Sequence, residues 1–229
     1  CATERVLVDK RVHEDFLARF DAASRAARIG DAFEDVLYGP MLDERFARRY
    51  ESFLGWIKDH HRTYGSDGIG RITADNPRKG FVGDPEAGMF YHPVIVDGVR
   101  RDDDLFLNET FGPVVGVTTY RDFDEALDLA NAHGYGLSAA IYTTDPHEVW
   151  TYRRGISAGM VSVNNTTSGA EAHLPFGGNG KSGNGSRQSG LWVLDQFTRW
   201  QSMNWDYSVR LQKAQMDVAT LEPDMAFTL

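Results

Sequence analysis

The sequence predicts an α/β fold, a largely parallel sheet with helices on both faces, followed by a C-terminal strand and arm for oligomerisation. Three observations predict it. Between Val114 and Asn164 short apolar runs alternate with amphipathic segments in the order strand, helix, strand, helix, strand, and that spacing implies right-handed crossovers joining parallel strands. The amphipathic segments open on residues able to cap a helix and end near glycine. Large aromatic side chains crowd the stretch after Gly190, beyond the last strand of the series.

In order along the chain, "RVLVD" (5–9) is a short β run. The next segment repeats apolar residues at Val12, Phe16, Leu17 and Phe20 and stops at Gly30, which predicts a helix with a glycine C-cap. Phe46, Tyr50, Phe53, Leu54 and Ile57 repeat the helical period, and from Thr63 to Gly88 a run rich in Gly, Asp, Pro and Arg reads as a surface excursion. "MFYHPVIVDGV" (89–99) is the next strand and "VVGVTTY" (114–120) a buried one. The helix that follows takes Asp122 as N-cap with Glu125 in the capping-box position. "LSAAIYTT" (137–144) is a strand, Asp145 and Pro146 open another helix, and "GMVSVNN" (159–165) closes the series. Trp192, Phe197, Trp200, Trp205 and Tyr207 then either pack on the domain's own core or form an edge that pairs with a neighbouring subunit.

Length and composition narrow the function. A chain of 229 residues makes one domain, or one with an appendage, and 41% hydrophobic with 25% charged residues is the composition of a soluble globular protein. No run approaches the roughly 18–20 apolar residues of a membrane helix, and the beginning lacks a secretory pattern. The expectation is a cytoplasmic protein with no membrane partner. A formal charge of −9, with arginines scattered among acids, argues against nucleic acid, whose phosphates require a clustered basic face. The only cysteine, Cys1, fits a reducing compartment. His60 and His61 are adjacent and the other histidines lack ligand spacing, so no metal site is expected.

Two stretches and one residue carry chemistry. In "NETFGPVVG" (108–116), Gly112 and Pro113 pin a loop leading into the buried strand, and in open α/β sheets such loops line ligand crevices. The Glu109 carboxylate can accept two hydrogen bonds from a diol such as a ribose, and the Phe111 ring offers a face to a planar heterocycle. Alternatively Glu109 is a solvated acid and Phe111 a core plug. "LPFGGNGKSGNGSRQSG" (174–190) has six glycines between Gly177 and Gly190. They either cradle a phosphate, although no P-loop or dinucleotide fingerprint is present, or form a structural loop wrapped on another element. Cys1 is an unpaired thiol with Arg5 close in sequence, and a nearby positive charge activates a thiol by lowering its pKa.

Together these stretches resemble the aldehyde dehydrogenase superfamily over nearly the whole chain. "CATERVLVDKRVHEDFLARF" resembles the segment just after the family's cysteine nucleophile, "GDAFEDVLYGPML" its G-D-P…G-P-[LM] stretch and "GMFYHPVIV" its G-x-[FY]-x-x-P-[TV] strand. "NETFGPVV" resembles its E-x-F-G-P signature, "NAHGYGLSAAIYT" its N-x-x-x-Y-G-L strand entry, "GMVSVN" its G-x-V-x-[VI]-N strand and "PFGGNGKSG" its P-F-G-G-x-K-x-S-G loop. One such motif is weak, whereas seven in order are specific.

The resemblance implies that Cys1 is the catalytic thiol and that Glu109 and Phe111 reach the nicotinamide ribose and ring of NAD or NADP. It implies that the loop from Thr166 to Leu174, with Ser168, Ala170 and His173, forms part of an aldehyde pocket, and that Asn164 is structural. The implied mechanism is thiolate attack on an aldehyde, hydride transfer, then hydrolysis of a thioester, the oxyanion being stabilised by a backbone N–H and an asparagine. Residues 1–195 would be the catalytic domain and residues 196–229 an oligomerisation strand and tail, giving a dimer or tetramer. The family's dinucleotide-binding half, general-base glutamate and oxyanion asparagine precede its cysteine and are absent from this sequence. The expectation is therefore a catalytic half that needs the dinucleotide-binding half for turnover. Family members commonly place one residue more between nucleophile and arginine than the Ala2, Thr3 and Glu4 found here, so Cys1 is either the nucleophile or the residue after it. His173 either meets an acidic substrate or packs within its loop. Two other functions stand beside this one, a non-catalytic relic that assembles through the aromatic tail and a cofactor-independent thiol esterase using Cys1.

Overall fold

The computed structural model describes residues 1–207 and 209. Its elements are β1 (Arg5–Asp9), α1 (His13–Ala26), β2 (Ile29–Gly30), α2 (Glu44–Leu54), β3 (Arg62–Tyr64), β4 (Phe81–Val82) and β5 (Val94–Asp97). They continue with α3 (Asp104–Leu107), β6 (Val114–Tyr120), α4 (Phe123–Asn131), β7 (Tyr135–Gly136), β8 (Ser138–Ile141), α5 (Pro146–Gly155), β9 (Met160–Val163), β10 (Asn179–Gly180) and α6 (Val193–Phe197). The main sheet has the order β1-β6-β5-β3, parallel except for β3. β8 and β9 pair in parallel as a separate two-stranded sheet.

Strand alternation divides the core between the two faces of the main sheet. Val94, Val96 and Val114 join Tyr50 and Phe53 of α2, Phe106 of α3 and Leu129 of α4. Ile95, Val117 and Val8 point the other way and meet Leu17 of α1. Helices therefore cover both faces, as expected from the pattern. The local signals hold as well. Asp122 accepts the Glu125 N–H at 2.9 Å and Asp145 accepts the His147 N–H at 2.8 Å, with Pro146 in the first turn. The Glu125 carboxylate, however, accepts the N–H of Arg121 at 2.8 Å, one residue ahead of the cap.

The end of α1 differs from expectation. The helix stops at Ala26, Ala27 is extended, and Gly30 is no cap but a member of β2, paired in parallel with β4. A Cβ on Gly30 would lie 1.9 Å from the Val82 carbonyl oxygen, at a φ of 150°, so the close strand contact is what demands glycine. Arg78 closes the helix instead, donating from Nη2 to the carbonyls of Ser24 at 2.6 Å and Ala27 at 3.2 Å. Its burial, and that of Ile72 beside Ile29 and Phe90, corrects the reading of residues 63–88 as a surface excursion.

The described chain falls into two units, Cys1–Val193 and a second that begins at Leu194. Within the second, Trp200 Nε1 donates to Asp195 Oδ1 at 3.1 Å and the Trp205 and Tyr207 rings stack at 5.3 Å. The terminal strand expected within 196–229 falls largely on residues 208 and 210–229, outside the described residues. Among the described residues no helix is long and apolar enough to cross a membrane.

Two imidazoles, one buried and one half-buried, set a pH dependence. His92 is fully buried, with Ser66 Oγ 2.6 Å from its Nδ1, and burial holds it below the usual imidazole range. Burial lowers His133 to about 4, with Arg5 and Lys181 adding to the effect. Below about pH 6.5 the unfolded chain binds protons that the folded chain refuses, so stability rises with pH through this window. The melting temperature is expected to fall steadily as pH is lowered from about 7 to about 4.5, and a flat calorimetric profile would contradict the burial. Gly30→Ala is expected to destabilise by at least ~2 kcal/mol, read from the denaturant midpoint.

Candidate active site

Parallel pairing brings two distant segments to one end of the sheet. Arg5 lies opposite Gly116, and the Gly116 N–H donates to the Glu4 carbonyl at 2.9 Å. Parallel strands are entered from the same end, so Cys1–Glu4 and Glu109–Pro113 approach together. This is the amino end of β1 and β6, whereas ligand crevices of open α/β sheets generally lie at the carboxyl ends. The carboxyl ends here carry an open groove of about 800 Å³ beyond Asp97 and Thr119, whose Arg101 and Arg121 already pair with Asp128 and Glu125.

Glu4 and Arg5 fasten the two approaches. The Glu4 carboxylate accepts the N–H of Phe111 at 2.8 Å and of Thr110 at 3.4 Å. Arg5 donates from Nε to the Phe106 carbonyl and from Nη2 to the Asn108 carbonyl, each at 2.6 Å. Its guanidinium also lies 5.3 Å from the centre of the Tyr135 ring. Arg5 is thus committed to backbone, ring and the Glu4 carboxylate 3.6 Å away. Phe111 sits at a φ of 48°, a left-handed conformation that costs a non-glycine residue roughly 1–2 kcal/mol.

Cys1 is exposed and unpaired. Its carbonyl accepts from Thr167 Oγ1 at 2.8 Å, which leaves Thr3 Oγ1 to donate to the same hydroxyl at 2.8 Å. Ser138 Oγ holds the Thr167 carbonyl at 2.9 Å, so the thiol segment is tied to the 166–174 loop. Ser168 is the next residue and is exposed. Ala170 and His173 are exposed farther along, without a hydrogen bond to Cys1 among the described residues. His173 is therefore not a packed loop residue. Asn164, at a φ of 51°, exchanges two hydrogen bonds of 3.0 Å with the Thr143 backbone and is structural.

Phe111 is 69% exposed, which removes the core-plug reading, and Glu109 is exposed beside it. Both line a cavity of about 160 Å³ with Thr110 and with Phe46, Arg49, Tyr50 and Phe53 of α2. The loop rests directly on α2, because a Cβ at Gly112 would lie 2.2 Å from Tyr50 Cδ2. Two lining residues, Tyr50 and Thr110, keep buried hydroxyls with no hydrogen-bond partner, and such groups carry a desolvation cost that a ligand or water can relieve.

The glycine-rich stretch is taken up in packing. β10 pairs with β7, and a Cβ at Gly159 would lie 1.7 Å from the Gly177 carbonyl oxygen. Arg187 donates to Asn179 Oδ1 at 2.7 Å and to the Gly185 carbonyl at 2.8 Å. Of the two readings of this stretch, the wrapped structural loop is the one observed. Lys181 from the loop places its ammonium 5.0 Å from the centre of the Tyr135 ring that Arg5 also covers.

Spacing along the chain did not reveal that His60 and His61 converge on buried Asp103, with Nε2 to Oδ2 distances of 3.1 and 3.0 Å. Lys58 Nζ donates to the other oxygen at 2.7 Å and the Arg100 N–H to Oδ2 at 2.7 Å. His61 Nδ1 accepts from the Lys58 N–H at 3.0 Å, so its Nε2 carries the proton directed at Asp103. Burial raises the Asp103 pKa, but these donors outweigh it and hold the carboxyl well below the usual range. The donor set neutralises a buried carboxylate and leaves no imidazole lone pair of His61 for a cation.

Residues 1–203 match the model of the aldehyde dehydrogenase family. The chain is 35% identical over 208 residues to aminoacetaldehyde dehydrogenase of Pseudomonas aeruginosa, covering 90% of this chain and 39% of that one. It is 36% identical over 183 residues to 2,5-dioxopentanoate dehydrogenase of Saccharolobus solfataricus, covering 80% and 35%. Among solved structures, an NAD-dependent aldehyde dehydrogenase from Sinorhizobium meliloti superposes with a TM-score of 0.74 at 29% identity, over 86% of this chain and 36% of that one. The chain spans well under half the length of these relatives. With a family model matching from its first residue through the glycine-rich loop and beyond, this chain belongs to the aldehyde dehydrogenase family.

Proposed function

We propose that this chain supplies the thiol-bearing catalytic portion of an NAD(P)-dependent aldehyde dehydrogenase that oxidises an aldehyde to a carboxylic acid. The observation that carries the reading is the joining of exposed Cys1 and the Glu109–Phe111 loop at one end of β1 and β6. Cys1 is the nucleophile, its thiolate adding to the aldehyde carbon to give a thiohemiacetal. A backbone N–H at the cysteine stabilises the developing oxyanion. Ser168, Ala170 and His173 form one wall of the aldehyde pocket, held against the thiol segment through Thr167.

The residues of the 160 Å³ cavity suit the redox end of NAD or NADP. Glu109 would accept from the ribose diol, and the exposed face of Phe111 would meet the nicotinamide ring. Bound there, the dinucleotide supplies the hydride acceptor for the carbon held on Cys1. The dinucleotide-binding half of the same enzyme is the required partner. Assembly as a homo-oligomer, a dimer or tetramer, is part of the same reading. It is supported by exposed Trp192, Phe197, Trp200, Trp205 and Tyr207.

In the native protein that carries this sequence, Cys1→Ser is expected to lower kcat by at least ~10³-fold and to abolish alkylation at this position in a peptide map. Retained turnover would transfer the nucleophile to another residue. Glu109→Gln is expected to slow hydride transfer more than it weakens aldehyde binding. Single-turnover rates equal to those of the unmodified protein would remove Glu109 from the cofactor site.

A further inference from the structure

We propose that Glu4 is a positioning residue for the cofactor, a carboxylate that holds Phe111 in its left-handed conformation and thereby locks the cofactor loop to the thiol segment. The inference rests on the reading of Glu109 and Phe111 as the dinucleotide-facing pair. Consecutive N–H groups that converge on one point form a small anion-binding nest, and here the N–H groups of Thr110 and Phe111 converge on Glu4. The anion is supplied from within the chain, from the residue immediately before β1. Its side chain is 18% exposed, with Arg5 Nη1 3.6 Å away.

Three features make this a positioning device. The strained φ of Phe111 lies at the residue whose N–H makes the shorter bond to Glu4, 2.8 Å. Arg5 pins the carbonyls of Phe106 and Asn108 at 2.6 Å, so adjacent residues of one strand entry hold the loop through its donors and its acceptors. The same entry carries the Cys1 carbonyl bound to Thr167. Glu4 and Arg5 therefore register the cofactor loop to the strand entry, whereas the thiol segment meets the pocket loop through its own separate bond to Thr167. Without the carboxylate, Phe111 relaxes toward extended backbone and its ring leaves the position set beside Glu109.

The test uses the native protein carrying Glu4→Gln, which keeps the shape and removes the charge, and Glu4→Asp, whose shorter arm reaches less of the nest. Binding of reduced dinucleotide without aldehyde is followed by fluorescence, alongside aldehyde KM and the alkylation rate of Cys1. Glu4→Gln is expected to raise the Kd for dinucleotide about tenfold, the worth of one charge-assisted hydrogen bond, and Glu4→Asp to do so by less. Aldehyde KM and the alkylation rate stay within twofold, a split that general loss of structure would not give. Dinucleotide affinity unchanged in Glu4→Gln but weakened in Glu109→Gln would overturn the role of Glu4 and leave the cofactor site standing. Unchanged affinity in Glu109→Gln and Phe111→Ala as well would overturn both. Should Glu4→Gln not fold, Glu4→Asp decides by the same comparison.

Discussion

The parallel pairing of β1 with β6 is the constraint on which the remaining geometry depends. Parallel strands must be entered from one end, so residues more than a hundred positions apart arrive side by side, the thiol segment before β1 and the Glu109–Phe111 loop before β6. Antiparallel pairing would send them to opposite ends. The same pairing fixes which side chains face which layer. With Arg5 opposite Gly116 and Val8 opposite Thr119, Val8 and Val117 meet α1 while Val114 meets α2. A slip of one residue would turn each of these side chains to the wrong face. The core thus enforces the register that assembles the site.

At the site the balance of terms favours strain. A left-handed Phe111 costs roughly 1–2 kcal/mol, and an ionised acceptor contributes about 1.5–3 kcal/mol for each good hydrogen bond. Glu4 makes one strong bond and one longer one to this turn, enough to offset the strain with little left over. A small surplus keeps the loop in place yet sensitive to a single charge. The Arg5 guanidinium offsets part of the cost of burial by finding two carbonyls, a carboxylate and an aromatic face, although burial still holds its pKa below the ordinary arginine value.

Features written in adjacent residues were legible in the sequence, and those made by distant ones were not. Asp122, Asp145 and Pro146 act within one helical turn, and the alternating strands of the second half carry their period on their face. Gly30 looked like a cap because its true neighbour, Val82, is far along the chain. Arg78 looked like a loop residue because its acceptors, the carbonyls of Ser24 and Ala27, lie in α1. His60 and His61 showed no ligand spacing, since their common partner Asp103 comes from a later turn. The family resemblance pointed to the loop of Glu109 and Phe111, whereas Glu4 and Thr167, which tie the segments together, left only the faint signal of polar residues beside an apolar strand.

Tyr135 explains why a glycine-rich stretch follows the Glu109–Phe111 loop at a distance. Its ring receives the Arg5 guanidinium from the thiol segment and the Lys181 ammonium from the glycine-rich stretch. Two cations gathered on one ring repel each other, so each must be held by its own backbone. Arg5 is held by β1 and the 106–108 carbonyls. Lys181 is held because its N–H donates to the Gly134 carbonyl at 2.9 Å and its neighbours form β10 against β7. That pairing works only where the backbones touch, and Gly180, at a φ of 58° with the Gly134 oxygen 2.4 Å from where a Cβ would stand, admits no side chain. The glycines are therefore the steric condition for bringing Lys181 to Tyr135, the ring that Arg5, the holder of the Glu109–Phe111 loop, also covers.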